Sequence, residues 1–165
     1  MSDVANKWGK KVAERGFAQI PNYLLLINQF LDEEHTLSPA ELLILVQLSS
    51  SWWKKDEMPF PSMSTLAARC GISSRQVQRS INNLENIGLI GRVKRRENGI
   101  VSSNAYNMEP LVNVLALIAN QFPNEFPRNV SKETIKKISS SLSAETAKKP
   151  RRKLVMPRAQ ASKEA

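Results

Sequence analysis

Residues 62–88 read SMSTLAARCGISSRQVQRSINNLENIG, and the spacing of caps and apolar positions in this stretch decides the fold. Ser62 or Ser64 can open a short helix that ends at Cys70, and Gly71 suits the left-handed position past a helix C-terminus. Two residues on, Ser73-Ser74-Arg75-Gln76 has the form of a capping box, with Ile72 and Val77 set to close a hydrophobic staple around it. The longer helix that begins there carries Val77, Ile81, Leu84 and Ile87 and stops near Gly88.

A short helix, a glycine turn and a longer capped helix make a helix-turn-helix unit. At about 100° per residue, Ile81 and Leu84 fall within roughly 40° of Val77 and face a core. On the same wheel Arg75, Arg79, Asn82 and Asn86 fall between roughly 140° and 200°, with Gln78 on the flank at about 100°. Arg pairs with guanine and Asn or Gln with adenine in the DNA major groove. Ser73, Ser74 and the helix N-terminus can hold a phosphate through backbone N–H groups. No acid lies between Ser73 and Leu84, while Glu85 falls at the end that leaves a groove. Asn86, farther along, is read as merely exposed.

After Gly88 the period changes. Leu89–Arg95 reads as a strand, Asn98-Gly99 as a tight hairpin turn, and Ile100–Tyr106 as the return strand. Arg92, Lys94, Arg95 and Arg96 are expected at the tip of this wing, where cations suit phosphates or the minor groove.

Upstream, Ser38-Pro39-Ala40-Glu41 is a second capping box with Pro at the first helical position. Its helix is expected to reach about Trp53, with Leu42, Leu45, Val46 and Ser49 inward. Met58-Pro59-Phe60-Pro61 forces an extended connection. Residues 17–37 should pack on the domain as a short strand or a helix. Downstream, Glu109–Asn120 reads as a helix apolar on more than one face. That excess calls either for a homodimer through helix 109–120 or for packing against residues 20–31.

Charge follows the same plan. The 165 residues carry a net +9, which implies a polyanionic partner. Residues 17–60 hold two Lys/Arg against six acids, 61–110 seven against three, and 111–165 eleven against four. Residues 1–16 are expected to form a flexible basic arm, 17–120 the domain, and 121–165 a basic, largely disordered tail with a run at Lys148-Lys149-Pro150-Arg151-Arg152-Lys153. Ser131–Ala147 has some helical potential but little apolar surface.

The stretch from Pro59 to Met108 resembles the winged helix-turn-helix domains of plasmid and phage replication proteins and related bacterial transcriptional regulators. Phe60-Pro61-Ser62, Leu66-Ala67, Gly71, Ser73, Arg75, Val77, Leu84, Gly88-Leu89-Ile90, Asn104 and Tyr106 carry the likeness. It extends more loosely to Phe17, Ile20, Pro21, Leu37 and Ser38, and so covers about residues 17–110. It implies a mainly α fold with a small β-hairpin wing and a double-stranded DNA partner.

The expected function is sequence-specific binding of double-stranded DNA, with helix 73–87 in the major groove and wing 89–106 on the backbone. A plasmid- or phage-type transcriptional regulator is preferred to a replication initiator, because little of the chain lies beyond the DNA-binding domain. A protein-interaction or RNA-binding module is the rival class, and it should expose apolar or acidic residues where this helix carries Arg, Asn and Gln. An enzyme is not expected, since no carboxylate pair, metal set or phosphate loop stands out. A single cysteine, Cys70, and a single histidine, His35, exclude an internal disulfide and a zinc finger. Cys70 is read as a small buried apolar residue, and one of Trp52 and Trp53 as core. No cofactor or small-molecule ligand is evident. The opening residues lack a signal peptide's apolar run, and no stretch approaches the roughly 18–20 apolar residues of a membrane span. A cytoplasmic protein is therefore expected.

Overall fold

The computed structural model describes residues 3–122 and 129–146. Three helices form its centre: α4 (Pro39–Ser50), α5 (Met63–Cys70) and α6 (Ser74–Asn86). Before them lie α1 (Asp3–Trp8), α2 (Lys10–Glu14), α3 (Asn22–Leu25) and a 3-10 turn at Ile27–Phe30. After them come β1 (Gly91–Val93), β2 (Arg96–Glu97), β3 (Ile100–Val101), β4 (Ala105–Asn107), α7 (Glu109–Gln121) and α8 (Lys132–Thr146).

The caps start and stop the helices where their chemistry requires. The Ser38 hydroxyl accepts from the Glu41 N–H at 3.2 Å, and the Glu41 carboxylate accepts from the Ser38 N–H at 2.9 Å, completing the reciprocal box. Ser62, rather than Ser64, caps α5, accepting from the Thr65 N–H at 3.1 Å. Ser73 caps α6 in the same way through the Gln76 N–H at 3.1 Å. Gly71 ends α5 at φ 66°, a left-handed conformation that a Cβ would penalise. With α5 stopped there and α6 capped two residues later, the angle of the unit is set locally.

One apolar core joins these elements. Leu66 of α5 and Val77, Ile81 and Leu84 of α6 are fully buried. So are Ile44, Leu45 and Leu48 of α4. The inward face expected for α4 was Leu42, Leu45, Val46 and Ser49; of these only Leu45 is fully buried, and the other three are half-buried. Residues 42–46 are apolar without interruption, so periodicity cannot point to a face, and packing against α5 and α6 chooses it. The helix also ends at Ser50, short of Trp53. Trp52 packs against the core while Trp53 stands in solvent.

Residues 22–30 are helical, and Leu24, Ile27 and Phe30 enter the core. They cover part of α7, whose Leu111, Val114 and Ile118 are buried. The Phe30 ring meets Phe122 edge-on at 5.0 Å, and the Tyr23 hydroxyl donates to the Phe122 carbonyl. Packing against residues 20–31 thus accounts for much of the apolar surface of α7.

One part of the tail expected to be disordered is a helix. Lys132–Thr146 buries Ile138 and Leu142 against the 3-10 turn and α7. Its Ser139 hydroxyl accepts from the Asp32 N–H at 3.0 Å. Few apolar residues suffice here because they share one face, spaced four apart. The run Lys148–Lys153 lies outside the described residues. Residues 1–16, expected as a flexible arm, hold α1 and α2, which bury none of their residues.

Candidate nucleic-acid interface

The outward side of α6 is polar throughout. Ser73, Ser74, Arg75, Gln78, Arg79 and Asn82 are all exposed, because Val77, Ile81 and Leu84 occupy the opposite face. Ser80 is an addition to that buried face, accepting a 3.4 Å hydrogen bond from the Gln76 amide. Among the described residues Arg75 and Arg79 form no ion pair. Two guanidiniums on one solvated helix face, with the N-terminal N–H groups beside them, suit a polyanion.

Behind α6, Asn83 donates to the Glu41 carboxylate at 2.8 Å. Glu41 is buried and already closes the α4 capping box, so one carboxylate holds both the start of α4 and the back of α6. Its second role comes from a residue 42 positions away, and no local pattern signals it.

The wing is a hairpin in two sections. Gly91–Val93 pairs with Ala105–Asn107, and Arg96–Glu97 pairs with Ile100–Val101, both antiparallel. Asn98 and Gly99 turn the tip at φ 53° and 78°, the two positive angles of a type I′ turn. Leu89 and Ile90, expected as strand, are instead core residues leading into β1. The Tyr106 N–H donates to the Pro59 carbonyl at 2.9 Å, which fastens the wing to the extended segment before α5.

The four wing cations separate into two kinds. Arg92 is not at the tip: it lies in β1, at the base, where its guanidinium is 3.2 Å from the Glu85 carboxylate and donates to the Asn82 side-chain oxygen. Arg95 stacks on Phe60, its guanidinium carbon 3.9 Å from the ring centre, and it donates to Glu97 at 2.9 Å and Ser103 at 3.4 Å. Ser103 in turn donates to the Phe60 carbonyl at 3.0 Å. Lys94 and Arg96 are exposed and form no ion pair among the described residues. Phe60, Ser103 and Glu85 were not among the residues singled out for the site, and they hold Arg95 and Arg92.

Other reactive side chains have structural surroundings. His35 is buried, its Nδ1 2.6 Å from the Asp32 carboxylate. Cys70 is half-buried against the core, and burial pushes its thiol up. Among the described residues no group of three or more His, Cys, Asp or Glu could hold a metal ion, and no helix is long and apolar enough to cross a membrane.

Comparison with known proteins agrees with this geometry. No curated protein matches the chain. The model of a family described as "Helix-turn-helix domain" matches residues 35–90, from His35 through α4, α5 and α6 to Ile90. Residues 35–90 are therefore similar to a helix-turn-helix domain, and the antiparallel hairpin that follows them is consistent with a winged one.

Proposed function

We propose that this protein binds double-stranded DNA sequence-specifically and acts as a transcriptional regulator of plasmid or phage type. Residues 17–120 form the binding domain, with α8 packed on its core and α6 in the major groove. Arg75, Gln78 and Arg79 read base edges, and Ser73 and Ser74 hold a phosphate at the helix start. Lys94 and Arg96 lie along the backbone as the wing closes over it. Asn82 and Arg92, bound to each other, brace the angle between helix and wing. Arg95 keeps the wing on its Phe60 support.

The observation that carries the reading is the outward face of α6, which is exposed, without acids as far as Asn82, and rich in the side chains that pair with guanine and adenine. A surface that docked proteins would need an apolar centre there.

Selection of bound fragments from random duplex DNA, followed by titration with salt, tests the reading. A consensus motif and an affinity that falls steeply with salt are expected. Binding without sequence preference would remove the specificity. Selected sites that overlap promoters support a regulator, and iterated sites within an origin would instead assign replication initiation.

A further inference from the structure

A groove of 620 Å³ opens between residues 17–21, the C-terminal end of α4 and one side of α7. Phe17, Ile20, Trp52, Trp53, Val112 and Leu115 make its walls apolar, and no residue of α6 or the wing lines it. Trp53 at its rim is 82% exposed. A solvated aromatic groove away from the DNA-binding face marks an interaction surface.

The same chain carries an apolar surface without a cover. Val4 and Trp8 are one helical turn apart in α1, and Val12 follows in α2; they are 41%, 58% and 50% exposed. Helices of 6 and 5 residues are far below the roughly 12–15 residues at which a helix begins to hold by itself in water. Their order calls for docking. The arm is basic, with Lys7, Lys10, Lys11 and Arg15 against Asp3 and Glu14, whereas residues 17–60, which supply most of the groove, are acidic in balance.

The connector decides whose groove is filled. α2 ends at Glu14 and the groove wall begins at Phe17, which leaves Arg15 and Gly16 between them. Two residues are too few to lay α2 back over a groove whose wall starts at the next position. Short connectors of this kind favour exchange between copies. We propose that the N-terminal helices of one copy dock Val4, Trp8 and Val12 in the groove of a second copy, which reciprocates, so that exchanged arms hold a twofold homodimer.

Sedimentation equilibrium of the full chain tests this. The expected mass is twice the 18.5 kDa of one chain. Trp8→Glu and Val112→Glu should each raise the dimer dissociation constant by about 100-fold or more, each change placing a charge in an apolar contact. Both side chains are exposed, so the circular dichroism of the monomer should not change. Mixed together, the two variants should form a heterodimer held by one intact arm-in-groove contact, tighter than either variant alone and weaker than the wild type. Trp53→Ser gives a second groove variant if Val112→Glu disturbs α7. A wild-type chain that stays monomeric to about 100 μM overturns the proposal. So does a dimer indifferent to these variants, or a Trp8→Glu effect confined to binding of anionic lipid vesicles.

Discussion

Arg92 in β1 meets the Glu85 carboxylate of α6 twice: its guanidinium lies 3.2 Å from one oxygen, and its backbone N–H donates to the other at 3.4 Å. Both side chains are about three-quarters buried, with relative exposures of 21% and 25%. Helix and wing are therefore joined by an ion pair partly withdrawn from water, where charge interactions are screened less than at the surface.

A double-mutant cycle with Glu85→Gln and Arg92→Met should show a coupling of about 0.5–1.5 kcal/mol in urea unfolding. Arg92→Ala should cost more than Glu85→Gln, because it removes the guanidinium from both Glu85 and Asn82 together with the packed stem of the side chain. Additive effects would mean that the contact does not brace the wing.

Arg75→Ala and Arg79→Ala should each weaken binding to the preferred site by roughly 1–3 kcal/mol and relax discrimination at one or two base pairs. Competition between the selected motif and its single-base variants measures this. Retention of full discrimination by both variants would rule out α6 as the reading helix.

The wing cations should behave differently from one another. Lys94→Ala and Arg96→Ala should weaken binding to every sequence and lower the slope of log affinity against log salt by about 0.9 each. Arg95→Ala should leave that slope nearly intact and lower stability instead, by about 0.5–1 kcal/mol, through loss of its contact with Phe60. Equal slopes for all three variants would show that the stacking does not occupy Arg95.

Acid should act through Asp32. Burial raises its carboxyl, but hydrogen bonds from the His35 ring and N–H outweigh that and hold it below the ordinary 3.8. A carboxyl depressed in the folded state stabilises the fold above its unfolded value, and that contribution is lost as pH falls from 3.8 through the folded value. The difference in urea midpoint between wild type and Asp32→Asn should be constant at neutral pH and shrink below 3.8. A gap that persists unchanged into stronger acid would exclude this role.

Local chemistry made the centre of the fold legible in advance. Ser38, Ser62 and Ser73 cap helices because a hydroxyl oxygen within three residues can satisfy an orphan N–H. Gly71 and Asn98-Gly99 turn the chain because they tolerate positive φ. Val77, Ile81 and Leu84 recur at the helical period, so their burial followed from spacing. Each of these depends on residues a few positions apart, which is why the amino-acid order alone determined the helix-turn-helix and the polar face of α6.

Tertiary structure decided what depends on distant partners. The burial of Ile44 and Leu48 in preference to Leu42 and Val46 is chosen by α5 and α6, since residues 42–46 look alike from every side. The order of α8 rests on Ile138 and Leu142 meeting α7 and the 3-10 turn, the latter about a hundred positions earlier. Above all, the four wing cations are equivalent as a string of charges. Folding separates them, because it brings Glu85 and Asn82 to Arg92 and Phe60 to Arg95, and leaves Lys94 and Arg96 exposed in solvent.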